Sequence, residues 1–173
     1  QVISQTDRST VSTQLVQQLR PVLVPRSCGG HGNVVDVGRL GMVHSATALI
    51  AAADLALLVS RSSLPALAAA RQWAAELAAG SSDGTGAAAF ATVLVGPGRP
   101  YSASEVSRVL STSVLESIAW DPNGARVFSE GEKPAATRWN RRDDLVRSYR
   151  ATAAAISSRI TADRLAMASG RAR

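Results

Sequence analysis

Residues 33–40 read Asn33-Val34-Val35-Asp36-Val37-Gly38-Arg39-Leu40, and they follow a glycine-rich run, Cys28-Gly29-Gly30-His31-Gly32. A short apolar segment that ends in an aspartate, one spacer and a glycine reads as a buried strand with Asp36 at its carboxyl end and Gly38 in the turn beyond. In open α/β sheets ligands bind outside the carboxyl ends of the strands, so a carboxylate there is placed to hold a metal-bound water. Gly38, lacking a Cβ, lets the backbone N–H approach an anion closely. D-x-G after an apolar run is a weak motif by itself, and its ordinary reading is a strand-to-turn transition.

On either side of this stretch the chain alternates between strand-like and helix-like patterns. Upstream, residues 1–4 read as the end of a strand. Residues 6–20 carry Val11, Leu15, Val16 and Leu19 at helical spacing before Pro21. Downstream, the alanine-rich residues 45–53 predict a helix. Residues 55–60, L-A-L-L-V-S, form a continuous apolar run of the kind buried on both faces of a parallel sheet. Pro65 suits the first turn of a helix that carries Leu67, Trp73 and Leu77 and closes near Gly80. A strand is predicted at 90–95, ending at Gly96-Pro97-Gly98, and Ser102 with Glu105 three places on has the form of a capping box. Another strand at 114–119 runs into Trp120-Asp121-Pro122, and a short helix through Ala125 and Val127 precedes a breaker stretch at 131–134. A long helix is predicted from Arg141 to about Met167, with Leu145, Tyr149, Ala153, Ile156 and Ile160 on one stripe. Strands alternating with helices at this spacing imply an α/β fold, a mostly parallel, doubly wound sheet with flanking helices.

Composition bounds the alternatives. The 173 residues suffice for one ordinary domain with a real core. Apolar residues make up 46% but aromatics only 4%, so the core is built from Ala, Val, Leu and Ile, which suits layered helices and parallel strands. No apolar run approaches the roughly 20 residues of a membrane-spanning helix. The single cysteine excludes an internal disulfide framework and suits a reducing, cytoplasmic setting. The chain opens at Gln1 in what reads as mid-strand, so the expectation is a piece of a longer natural protein.

Charge is uneven. Residues 1–125 carry eight basic and eight acidic side chains, whereas residues 126–173 carry eleven basic against five acidic, so the net +6 lies in the last quarter. Eighteen of the nineteen basic residues are arginine.

The succession V-V-D-V-G-R-L, A-D-L-A-L-L-V-S-R-S, T-V-L-V-G, V-L-E-S-I-A-W-D-P and F-S-E-G-E-K-P resembles the distal half of the ParA/MinD-like ATPases. Within that family it looks closest to the actinobacterial MinD homologues of pilus-assembly loci, relatives of the TadZ/CpaE group. The resemblance covers about residues 34–134 and rests on order and spacing. It implies an incomplete P-loop NTPase-like sandwich of the SIMIBI type, ATP or ADP bound with magnesium, and dimerisation across the nucleotide. The function it implies is the positioning of cargo such as plasmids, division sites or pilus machinery. Asp36 matches the aspartate that reaches magnesium through water, Gly38 the glycine near the terminal phosphate, and Asp121 with Pro122 the loop beside the adenine. The glycine-rich phosphate loop of the family, with its lysine, does not occur in this chain. Gly96 stands where relatives often carry an asparagine that meets the base. The expectation is therefore a localisation or assembly factor, a pseudo-ATPase that does not hydrolyse ATP unless a phosphate loop is supplied upstream or by a partner.

The unpaired edge of half a parallel sheet implies a homodimer or a complex with another protein chain. On this reading residues 1–134 form the distal part of the α/β domain, and residues 135–173 a basic helical segment that packs on it or extends from it. Arg138, Arg141, Arg142, Arg147 and Arg150 make that segment a candidate surface for DNA or an anionic membrane, the alternative function. A solvated helix face is the plain reading of the same residues. Cys28 and His31 have C-x-x-H spacing, but a structural zinc site needs four ligands and no second pair exists. An aspartate at a strand end also occurs in phospho-acceptor domains, yet the further acidic residues and the lysine such a site requires are not present. Trp73, Trp120 and Trp139 stand singly and read as core or domain-edge residues.

Overall fold

A computed structural model of the chain describes residues 34–40, 50–51, 53–82, 89–131 and 144–170. Three strands, β1 (Leu55–Arg61), β2 (Ala89–Val95) and β3 (Val114–Ile118), form a parallel sheet in the order β1-β2-β3. Register runs from Leu55 opposite Ala89 to Arg61 opposite Val95, and on the other side Val93, Leu94 and Val95 face Glu116, Ser117 and Ile118. Each parallel step needs a crossover. α1 (Leu64–Ser82) supplies the first and α2 (Ala103–Leu110) the second. α3 (Pro122–Ser129) and the long α4 (Asp144–Gly170) follow β3.

The chemistry of the boundaries explains these elements. α2 starts on a complete capping box: Ser102 Oγ accepts the Glu105 N–H at 3.3 Å, and the Glu105 carboxylate accepts the Ser102 N–H at 2.8 Å. These bonds satisfy donors that the first helical turn leaves without intrahelical partners. The hydrogen bond from the Ser102 hydroxyl, then that from the Ser102 backbone, holds the Glu105 carboxyl below its ordinary value. A depressed carboxyl contributes stability above its unfolded pKa, and that contribution disappears as pH falls through the folded value. In a side-chain NMR titration Glu105 is therefore expected to ionise below an ordinary glutamate, and Ser102→Ala to move it back up while costing about 1 kcal/mol of stability. An unchanged midpoint in Ser102→Ala would mean that the Ser102 hydroxyl is not what depresses it. At its other end α2 stops where Ser111 takes a left-handed conformation, φ 53°.

The core lies between the sheet and the α1–α2 layer. Leu58 and Leu94 meet Leu67, Ala70 and Ala74 of α1 and Val106 and Leu110 of α2. Right-handed crossovers in a sheet that grows in one direction place both helices on one face. On the other face Ala91 and Val93 are also buried, so β2 is covered on both sides. α4 supplies that second cover. Ser148 Oγ accepts the Ala119 N–H at 3.1 Å just past β3, and Arg164 pairs with Asp54 at 3.1 Å just before β1. Those anchors are sixteen residues apart in α4, about 24 Å of helix. The helix therefore runs from the carboxyl end of β3 toward the amino end of β1, across the face that α1 and α2 leave open.

Several expectations change. Residues 34–39 are not a strand: Val34 is 99% and Val35 47% exposed, and Asp36 and Gly38 lie on the surface. What ties this stretch to the fold is Leu40, which packs against the core. β1 is covered on both faces only in its first half, because α4 reaches β1 at its amino end and leaves Val59 61% exposed. α4 keeps part of the expected stripe inward, with Ile156 and Ile160 half-buried, but shifts the rest. Leu145 and Thr152 are buried and Ser148 half-buried, whereas Tyr149 and Ala153 are exposed. Hydroxyls join this face because each can return its hydrogen to a carbonyl one turn back, as Thr152 does to Ser148 O at 2.8 Å. Tyr149 instead meets Phe128 of α3 edge-on at 5.8 Å. α1 continues two residues past Gly80. The readings at 1–32, 45–49, 132–134 and 141–143 lie outside the described residues.

Candidate binding edge at the carboxyl ends of the strands

All three parallel strands end on the same edge, and the loops after them bring together Arg61-Ser62, residues 96–99 and Trp120-Asp121. Ser62 is the knot. It is 1% exposed, its N–H donates to Val95 O at 3.3 Å, and its Oγ accepts the Arg99 N–H at 3.2 Å. The single hydroxyl hydrogen is shared between Arg99 O, 2.8 Å away, and Gly96 O. Gly96 N–H in turn donates to Ile118 O at 2.9 Å. The loop after β2 is thus fastened to both neighbouring strand ends.

Around Gly96 three side chains converge. Gly96 has φ +71°, and a Cβ there would lie 3.4 Å from Trp120 Cβ, 3.5 Å from Trp120 Cε3 and 3.6 Å from Arg99 Cδ. The Arg61 guanidinium stacks on the Trp120 ring, 4.9 Å from its centroid, a cation–π contact. Trp120 keeps 38% of its surface exposed, and both arginines are exposed.

The residues singled out in the sequence are placed as follows. The Asp36 carboxylate accepts the Gly38 N–H at 2.8 Å, and Gly38 has φ +73°, a local turn that accounts for the D-x-G triplet. Asp121 lies at the end of the β3 loop, where its Oδ1 caps α3 by accepting the Gly124 N–H at 2.9 Å. Pro122 is the exposed first residue of that helix, where a missing N–H costs nothing. A Cβ on Gly124 would come within 2.5 Å of Asp121 Oδ2, so both carboxylate oxygens are turned toward the first turn of α3. Arg147 pairs with Asp144 on the surface of α4, and Arg150 is exposed beyond it. Arg138, Arg141 and Arg142 lie outside the described residues, as do Cys28 and His31. No hydrogen bond among the described residues joins Asp36 to Asp121 or Pro122.

Sequence reading passed over Arg61, Ser62 and Arg99. Their only signal was position, in or just beyond the ends of β1 and β2, and Trp120 was read as a core or domain-edge residue without its stacked partner.

At Gly96, where relatives often carry an asparagine, a Cβ would meet Trp120 and Arg99 at ordinary contact distances of 3.4–3.6 Å. Asp121 is engaged as a helix cap. Among the described residues no group of three His, Cys, Asp or Glu side chains could hold a metal ion, and no helix is long and apolar enough to cross a membrane. No family model matches the chain, and neither the curated proteins nor the solved structures contain a match to it.

Proposed function

We propose that the chain is a ParA/MinD-like localisation or assembly factor that works as a scaffold, positioning a partner such as pilus or secretion machinery without hydrolysing ATP itself. The observation that carries this reading is the parallel β-α-β-α-β unit. Its strands lie in sequence order and its loops gather on one edge, with Asp121-Pro122 opening the helix after the last strand. ATP or ADP with magnesium would belong to this function only through residues that another segment or chain brings to the edge.

Two measurements test it. Isothermal titration of the chain with Mg·ATP and Mg·ADP is expected to give no heat of binding. Micromolar affinity that weakens in Asp121→Asn, which keeps the helix cap, would replace the scaffold with a nucleotide-binding protein. A fluorescent fusion in an actinobacterial cell is expected to collect in discrete foci; uniform fluorescence would remove the localisation role.

A further inference from the structure

Four of the arginines in the described residues are neutralised by a carboxylate: Arg126 by Glu130, Arg147 by Asp144, Arg159 by Asp163 and Arg164 by Asp54. Six are not, Arg39, Arg61, Arg71, Arg99, Arg108 and Arg150, and of these Arg61 and Arg99 lie together at the carboxyl edge. Neither has an ion-pair partner among the described residues; Arg61 stacks on the Trp120 indole, and the stem of Arg99 lies beside Trp120 at Gly96. Asp121, the acidic residue next to Trp120, has its carboxylate turned toward α3. Two uncompensated guanidinium groups therefore share the carboxyl edge with a partly exposed tryptophan. On the side of β1 that carries Arg61, Val59 adds an apolar surface that is 61% exposed.

We infer that this edge, Arg61, Arg99, Trp120 and Val59, is a docking surface for an acidic peptide segment of a partner protein. Charge complementarity names the occupant: two guanidinium groups present forked donors that match carboxylates. The form of the surface separates a peptide from a small ligand. Small-molecule sites enclose most of their ligand in a concave pocket, whereas these four side chains stand exposed on an open edge. Tryptophan and arginine are also the residues most enriched among those that dominate binding at protein interfaces. The surface is held in shape from below, since Ser62 ties the Arg99 backbone to the end of β1 and Trp120 packs beside Gly96 at the end of β2. This inference goes beyond the scaffold reading and stands on its own observations.

The probe is a fluorescein-labelled glutamate-rich peptide carrying one leucine, titrated with the full chain at physiological ionic strength and followed by fluorescence anisotropy. Arg61→Gln with Arg99→Gln is expected to weaken binding about tenfold, the combined effect of two partly exposed charge pairs. Arg150→Gln, which removes an exposed charge from α4, is expected to change it less than about twofold, as a rim charge does. Trp120→Leu is expected to weaken binding while circular dichroism confirms that the chain remains folded. Equal losses in the edge and α4 variants would mean attraction by net charge alone and would overturn the proposal. So would no binding by the parent chain. Binding of Mg·ATP that depends on Arg61 and Arg99, with no peptide binding, would assign the edge to a nucleotide and overturn it as well. None of these outcomes bears on whether the chain forms foci in cells, so failure of the docking surface is distinguishable from failure of the scaffold reading.

Discussion

Leu94→Ala is expected to remove about 2–5 kcal/mol of folding stability, the range found for truncating a fully buried leucine. Leu94 is 0% exposed and sits at the centre of the core cluster, between Leu58 on the neighbouring strand and the two helices above. Losing its isobutyl group forfeits the transfer free energy of the removed carbons. It also leaves a cavity that α1 and α2, each anchored at both ends by strands, cannot close. Against the 5–15 kcal/mol typical of a whole domain this is a large fraction. Urea denaturation of the variant should show a lower midpoint with an unchanged slope. Val59→Ala, on the exposed side of β1, should stay within about 0.5 kcal/mol of the parent, as surface changes usually do. If the two variants lost equal stability, the division of β1 into a covered and an open face would be wrong.

Gly96→Val is expected to cost about 2–3 kcal/mol, from two additive causes. At φ +71° an L side chain is strained, and a β-branched one more than most. Its Cβ would already be in contact with Trp120 at 3.4 Å, so the two methyls beyond it must displace the Trp120 side chain or Arg99 and disturb the cation–π stack with Arg61. Gly98 separates the two causes. It has nearly the same backbone, φ +75°, but a Cβ there meets nothing within 4 Å. Gly98→Val should therefore show the backbone strain alone and be the milder variant in the same denaturation experiment. Equal losses would mean that Trp120 does not bear on Gly96.

Much of the framework could be read from the sequence because it depends on local rules. L-A-L-L-V-S-R and A-F-A-T-V-L-V are apolar, β-branched runs between turn residues, and both are strands. Ser102 and Glu105 announced the start of α2, since a capping box is closed by residues three apart. Asp121-Pro122-Asn123-Gly124 likewise carries its own reason for opening α3. Residues 33–40 misled for the same local reason. V-V-D-V has the composition of a strand, but strand formation requires partners on the ladder, and no local pattern supplies them; Asp36 closes a turn with Gly38 instead. Two positions of the α4 stripe, Tyr149 and Ala153, were misassigned because the pattern contains too few strong apolar residues to define it fully. Ala, Ser and Thr occupy most of the helix, and the sheet selects which of them it covers.

The candidate edge was not legible in this way. Arg61, Gly96, Arg99 and Trp120 span almost sixty positions in the chain and share no motif. They meet because three parallel strands end together, and because Ser62 draws the β2 loop onto the end of β1. By itself the sequence determined the α/β class with a parallel sheet, the presence of β1 to β3 and of the helices after them, and the cap that starts α2. Each of these follows from periodicity or from hydrogen bonds between near neighbours. The tertiary structure alone decided which face of β1 and of α4 is covered, and that Arg61 stacks on Trp120 beside the loop that carries Arg99. Those outcomes depend on contacts between residues far apart in sequence, whose energies exist only once the strands are paired and the helices have closed over them.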